Sequence, residues 1–461
     1  MYRMYLKWLF MIVALSGRLR KVRSTRASML AFHVILLTCA MCYGQTIAGM
    51  RKTGVYLTVS SYSDRGIKPF FEVNWYGMPQ RYIGVVSAVL STKNPPQSPS
   101  DILASQVVKN PTEAYTTQVL APNFNASTLM EGRCLGYWAL IMETSTAVKS
   151  QRITKVLYSS CFTPQPRWMR DNCGTLYGLK LTDMLIPGTH NAGMYKAGPM
   201  APHEQLIYDQ DQDIWQQLAY GIRGLDLRVQ YSGGDYYITH DVIRGKPTVR
   251  EVLREVRRFV ERTGEVVLLD FHRFPKGFEQ KRKVATDRHE NLVKLIVNEL
   301  QDVLLKGMDY MKTVGEILGG CRSGGRQRGG VLVFYNSRDY RGPYQEYLAP
   351  GVSQKWPNAQ SKNALMQYLE RNACFRGVHY MIAIMAELTP KFPKFLISTR
   401  KLAKWINHKI TEFFRRRQMK YSGIIATDYF LGNGITDVAI EANCLRGRQM
   451  LPNHNVGPHK H

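Results

Sequence analysis

Between residues 184 and 428 a short, mostly apolar run recurs seven times, and each run ends in polar or charged residues. The runs are Met184–Ile186, Gly224–Arg228, Tyr236–Thr239, Glu265–Asp270, Val331–Tyr335, Tyr380–Met385 and Gly423–Thr427. Near-continuous apolar strands need cover on both faces, the situation of a parallel sheet wrapped in helices. Helical patterns lie between them. Thr248-Val-Arg-Glu251 is a capping box, followed by Val249, Val252, Leu253, Val256, Phe259 and Val260 at helical spacing up to Gly264. Strand–helix alternation over this length predicts an α/β chain with a distorted or incomplete (β/α)8 TIM-type barrel.

The polar ends matter more than the runs. His190, Asp226 with Arg228, His240, Asp270 with His272, Tyr335, Glu387 and Asp428 all fall at or just beyond the C-terminal ends of these strands. In a barrel that end carries the active site, because its loops converge above one mouth. Two histidines can act as base and acid in one step, since imidazole titrates near neutral pH. Arg228 shares a strand face with Asp226 and offers a planar fork that suits phosphate. Asp428 is placed to hold one imidazole in its working tautomer. The combination points to phosphodiester cleavage with no obligatory metal or other cofactor.

Residues 45–162 have another texture. Val55–Val59, Phe70–Trp75, Tyr82–Val86 and Tyr137–Ile141 are β-branched or aromatic runs separated by Gly, Pro and Ser. They predict a small all-β, sandwich-like domain before the barrel of residues 163–461, with Thr163–Arg167 as a linker. Residues 1–44 combine a basic stretch, Arg18–Arg26, with an apolar run, Met29–Tyr43. This is the pattern of a secretory signal cleaved near Gly44, or of a retained signal anchor. Export fits the six cysteines that remain, Cys134, Cys161, Cys173, Cys321, Cys374 and Cys444, as disulfide candidates. They show no Cys-x-x-Cys spacing, so a zinc site is not expected.

Lys and Arg number 62 against 35 Asp and Glu, a formal charge of +27. Such a chain attracts polyanions, and in an exported protein an anionic membrane surface is the expected partner rather than nucleic acid. The basic segment 391–420 carries Leu402, Trp405, Ile406, Ile410, Phe413 and Phe414 at helical spacing. It reads as an outer barrel helix with a solvated basic face, or as a membrane-surface helix.

Several strings carry a resemblance. Ile186-Pro-Gly-Thr-His190-Asn-Ala-Gly, Gly221-Ile-Arg-Gly-Leu-Asp226-Leu-Arg228, Tyr237-Ile-Thr-His240 and Glu265-Val-Val-Leu-Leu-Asp270-Phe resemble the X-domain of phosphatidylinositol-specific phospholipases C. The resemblance is strongest to the X-domain-only proteins of animals. Trp356-Pro-Asn, Leu388-Thr-Pro and Ile424-Ile-Ala-Thr-Asp428 extend it over residues 166–445. It implies attack by the inositol 2-hydroxyl on the phosphate, with an inositol cyclic phosphate and diacylglycerol as products. His190 is then the base, oriented by Asp428, and His240 the acid. Arg228 stands where calcium-dependent members have an acidic calcium ligand, which implies calcium independence. Asp270, His272, Tyr335 and Glu387 are expected to line the substrate pocket. Asn191 departs from the calcium-independent pattern, where an aspartate follows the first histidine and supports the second. Two rival readings stay open: an inositol-phospholipid binding protein without turnover, and another barrel phosphodiesterase such as a glycerophosphodiesterase.

Overall fold

The computed structural model describes residues 52–450 apart from 64–65, 144–154, 197–199, 201–203, 280–281, 322–328, 338–339, 341, 373–377, 391–396 and 418–419. The leader and Cys374 lie outside the described residues. Among the described residues no helix is long and apolar enough to cross a membrane.

The first seven strands are β1 (Gly54–Val59), β2 (Phe70–Tyr76), β3 (Val86–Ser91), β4 (Ile102–Val107), β5 (Glu113–Leu120), β6 (Trp138–Glu143) and β7 (Lys155–Cys161). They form two antiparallel sheets, β1-β2-β5 and β4-β3-β6-β7. Val55, Leu57, Phe71, Val73 and Trp75 of one sheet pack with Val86, Ala88, Leu90, Ala139 and Ile141 of the other in one cluster. That is a sandwich core. The run from Tyr82 extends only from Val86 onward, because the residues after Pro79 form a 3-10 turn over Gln80–Tyr82. A Cys134–Cys161 disulfide ties the end of β7 to the loop before β6.

The following strands are β8 (Leu185–Thr189), β9 (Gly224–Ser232), β10 (Asp235–His240), β11 (Ile243–Thr248), β12 (Val266–Lys276), β13 (Gly330–Tyr335), β14 (Leu348–Pro350), β15 (Ser353–Lys355), β16 (Ile382–Met385) and β17 (Gly423–Thr427). The path β14-β13-β12-β9-β8-β17-β16-β15 is parallel throughout. Its two ends, β14 and β15, are halves of one extended stretch broken at Gly351-Val352. The sheet therefore curls round on itself into an incomplete barrel. Two expectations change. The Tyr236–Thr239 run is half of an antiparallel hairpin, β10–β11, mounted on β9. The seventh barrel position is instead the stretch 348–355, too short and too interrupted by Pro350 and Gly351 to read as a strand.

Inside, Ile186, Leu268, Leu332, Phe334, Ala383, Met385, Ile424 and Ala426 share one buried cluster. Gly188 and Gly224 carry no side chain because Ile424 fills their place: an added Cβ would lie 2.4 and 2.8 Å from its Cγ2. At the strands' N-terminal end the fully buried Arg223 donates from Nε to Glu265 at 2.8 Å, and to the carbonyls of Leu218, Ile222, Gln165 and Pro166. The stretch 163–167 is thus stitched to the barrel floor. A second disulfide, Cys173–Cys321, lies among the described residues, and Cys444 is free.

Around the sheet run helices α1 (Val249–Thr263), α2 (Arg282–Leu300), α3 (Lys362–Arg371), α4 (Thr399–Arg417) and α5 (Ile435–Met450). The Thr248/Glu251 capping box starts α1 and Gly264, at φ 66°, ends it. In α4 the stripe Leu402, Ile406, Ile410, Phe413 and Phe414 is buried, so it is an outer barrel helix. Trp405, one step off the stripe, is 47 % exposed. Part of the basic face is not solvated: Lys404 pairs with Glu72 of β2, and Arg415 stacks over Tyr76 at 4.1 Å.

Candidate active site at the barrel mouth

Strand alternation decides which predicted residues meet. His190 follows Ile186 and Gly188 on the interior face of β8, and Asp428 follows Ile424 and Ala426 in the same way after β17. Neighbouring strands thus bring the two side chains together. His190 Nδ1 lies 2.8 Å from Asp428 Oδ1 and His190 Nε2 lies 2.7 Å from Arg228 Nη2. A guanidinium only donates, so Nε2 must be the accepting nitrogen and Nδ1–H must point to Asp428. The site therefore holds His190 as the neutral tautomer with its basic nitrogen toward the mouth. Arg228 also reaches Asp226 Oδ2 at 3.3 Å.

Burial works against the charge on Asp226, but the Arg228 guanidinium, helped by the Asn191 backbone N–H, outweighs it and holds the carboxyl down to about 2. Asp270 goes the other way: burial and the neighbouring Asp226 push it well above the usual carboxylate range. One amide spans the pair, Gln354 Nε2 donating to Asp226 Oδ1 at 3.0 Å and to Asp270 Oδ2 at 2.8 Å. Burial lowers His272 to about 4, so it stands as a neutral imidazole. Glu387 is pushed up to about 7 by burial and accepts from Trp356 Nε1 at 2.6 Å. The Trp356 ring lies under the Arg273 guanidinium at 5.2 Å.

His240 ends β10 and arrives from the side, on the hairpin. Its Nδ1 lies 2.8 Å from the Ile207 carbonyl and 3.6 Å from Asp209 Oδ2. Asn191 Nδ2 donates to the same Asp209 oxygen at 2.6 Å. Asp428 is pushed well above the usual range by burial and by Asp209, with His240 and Arg228 opposing.

Backbone strain marks the same positions. Among the described residues five non-glycines have positive φ, and Asn191, Asp241 and Tyr429 directly follow His190, His240 and Asp428. Such conformations persist only where the surroundings impose them, and they concentrate at functional sites. Unpartnered buried atoms gather here too: Asn191 Oδ1, Arg228 Nε, Asp270 Oδ1, His272 Nδ1 and Glu387 Oε2. Orphaned polar atoms of both signs around one mouth are what a polyhydroxylated, phosphorylated ligand would satisfy.

His190, Asn191, Asp226, Arg228, His240, Asp270, His272, Glu387 and Asp428 are thus gathered at one end of the barrel. Tyr335 is not. It points outward on β13 with Val331 and Val333, while Leu332 and Phe334 point inward. Its hydroxyl meets His289 Nδ1 at 2.7 Å within an aromatic cluster. Asp209, Gln354 and the Trp356 side chain are additions that strand-end reasoning did not supply. His190, Asp209 and Asp428 offer ligand atoms within 4.8 Å of one another, a geometry a metal ion could use, but each is engaged in the hydrogen bonds above.

No family model matches the chain. The chain is similar to curated proteins named for a PI-PLC X domain. It is 25 % identical to human PI-PLC X domain-containing protein 1 over 325 residues, 61 % of this chain and 94 % of that one. It is 26 % identical to zebrafish PI-PLC X domain-containing protein 3 over 258 residues, 49 % of this chain and 74 % of that one. Among solved structures, phosphatidylinositol-specific phospholipase C from Staphylococcus aureus aligns with TM-score 0.49 at 16 % identity, over 60 % of this chain and 98 % of that one. The Listeria monocytogenes enzyme aligns with TM-score 0.45 at 16 % identity, over 62 % and 98 %.

Proposed function

We propose that the chain is a phosphoric diester lyase that cleaves phosphatidylinositol-type lipids at the barrel mouth. The observation that carries this is the His190 arrangement: Nδ1–H held by Asp428, Nε2 facing out, and a phosphate-binding guanidinium beside it. In the reaction, the inositol 2-hydroxyl passes its proton to His190 Nε2 while its oxygen bonds to phosphorus. The bond from phosphorus to the diacylglycerol oxygen breaks, and that oxygen takes a proton from His240. Inositol cyclic phosphate and diacylglycerol leave. Arg228 swings its donors from His190 to a phosphate oxygen, supplying positive charge where negative charge grows. Asp226 stays ionised beside the attacking hydroxyl, whereas burial favours the neutral forms of Asp270 and His272, suited to hydrogen-bonding a sugar, and lifts Glu387 to about 7. Calcium independence belongs to this reading, because Arg228 puts a fixed cation where a metal would sit. So does export to a lumenal or extracellular face, which the leader and the Cys134–Cys161 and Cys173–Cys321 bridges support.

The test is turnover of phosphatidylinositol in mixed micelles, with calcium or with chelator, for wild type and His190→Ala. Chelator-resistant release of cyclic phosphate, lost in the variant, is expected. Strict calcium dependence would sink the role given to Arg228. Binding without turnover would favour the second reading, a lipid-binding protein, to which Asn191 lends a specific reason: it places an amide where a carboxylate would support His240.

A further inference from the structure

We propose that Asp209 is the carboxylate partner of His240, delivered from the segment between β8 and β9 to replace the charge that Asn191 lacks. The proposal rests on the phosphodiesterase reading above and makes Asp209 a positioning residue for its acid step.

Asp209 is 1 % exposed, and a carboxylate so buried requires a compensating cation. The cations within ion-pair range of Asp209 among the described residues are imidazoles: His240 Nδ1 at 3.6 Å and His190 Nδ1 at 4.0 Å. His190 already has Asp428 at 2.8 Å. That leaves His240 as the imidazole for which Asp209 is the nearest acid. Asn191 acts with it: its Nδ2 donates to Asp209 Oδ2 at 2.6 Å and so aims that oxygen. The usual pairing is thereby turned round. The residue after the first histidine orients the acid instead of supplying it.

The segment is fastened accordingly. The Gln210 side chain donates to the carbonyls of His190 and Thr427 at 2.9 and 2.8 Å, stitching Asp209's neighbour to the ends of β8 and β17. Asp209 N–H donates to Met194, and its carbonyl accepts from the strained Tyr429 at 2.8 Å. Thr399 holds the Tyr208 carbonyl at 2.9 Å. On the far side Arg400 pairs with Asp211 and donates to the Ser61 carbonyl just after β1. A loop tied at four consecutive residues to both strand ends, to α4 and to the sandwich is built to hold one side chain still. When His240 is protonated, Nδ1–H goes to the Ile207 carbonyl, the charge faces Asp209, and Nε2–H remains for the leaving oxygen. Among the described residues, Asp428 also interacts electrostatically with His240, and Asp241 and Arg244 lie on its own hairpin. All of them stay in place in the variants below.

The experiment compares wild type, Asp209→Asn and Asn191→Asp/Asp209→Asn, following the His240 imidazole by NMR titration and turnover against pH. In Asp209→Asn the His240 titration is expected to fall to lower pH. The kcat is expected to drop about 10- to 100-fold with KM little changed, and the alkaline limb of the profile to move down. The double variant, which returns a carboxylate to the neighbouring position, is expected to recover most of both. Identical His240 titration in wild type and a folded Asp209→Asn would overturn the proposal, as would a double variant that titrates like the single one. If wild type turns over no lipid, the phosphodiesterase reading fails on that ground, and the His240 titration still decides the role of Asp209.

Discussion

Arg228 fixes the tautomer of His190 only because Asp428 can accept on the other side, and this makes a sharp prediction for Asp428→Asn. An amide there can offer N–H to Nδ1, which favours the tautomer with its proton on Nε2, facing a guanidinium that cannot accept. Loss of about 10³- to 10⁴-fold in kcat is expected, with nitrogen shifts of the imidazole reporting the exchanged tautomer. Glu387 gives a second prediction. Its folded value of about 7 lies above the ordinary 4.5, so the unfolded chain releases its proton first as pH rises. Stability is therefore lost between about pH 4.5 and 7. Relative to wild type, Glu387→Gln should gain about 2–3 kcal/mol across that window and hold the gain above it, measured by denaturant unfolding at pH 4 and pH 8. Much of this residue-scale chemistry was legible in the sequence, because strand-end His, Arg and Asp residues announce themselves. Asp209 was not, since it sits in a segment with no strand period. Its one signal was Asp209-Gln-Asp-Gln-Asp213, three acids at alternate positions in a basic chain. Tyr335 could have been excluded by counting: odd positions 331, 333 and 335 cannot face the interior that 332 and 334 occupy.

At the scale of elements, the pairing of β8, β9 and β17 sets the spacing on which the site depends, and Ile424 sets how close they approach. Gly224→Ala should destabilise by about 1–3 kcal/mol, because the new methyl meets Ile424 Cγ2 at 2.8 Å. Ile424→Ala alone should cost about 2–5 kcal/mol as a cavity. The two together should cost clearly less than their sum, since each relieves the defect of the other. Additive losses in a thermal or denaturant double-mutant cycle would show that the glycine is not there for this contact. Apolar runs of five or six residues made most of these strands readable. The missed strand, 348–355, has three residues on either side of a break and draws its stability from β13 and β16 rather than from its own composition. The hairpin β10–β11 was misread for a related reason. Periodicity detects a strand but not its partner, and the register Asp235↔Ser232 to Ile238↔Val229 with β9 is antiparallel.

For the whole molecule, the question is what the positive charge does when so much of it is already occupied. Lys404 pairs with Glu72, Arg400 with Asp211, and Arg223 with Glu265, so these cations hold the sandwich, the Asp209 segment and the barrel floor. Such pairs do not lower the formal charge of +27, which already sets every acidic residue against a basic one; residues 1–44 carry seven of the basic residues and no acidic one, so residues 45–461 keep an excess of +20. An excess of this size acts at a distance of about one Debye length, roughly 10 Å at 0.1 M salt, and is screened as salt rises. Each basic group near an anionic leaflet contributes about 1 kcal/mol. Sedimentation with vesicles should therefore show adsorption to phosphatidylcholine containing an anionic lipid and little to phosphatidylcholine alone. Between 50 and 500 mM salt, binding should fall at least about tenfold. His190→Ala should adsorb like wild type, because the attraction belongs to the surface and not to the mouth. Equal, salt-insensitive binding to both vesicles would instead assign adsorption to exposed apolar side chains such as Val242 and Ile243 at the hairpin tip beside His240.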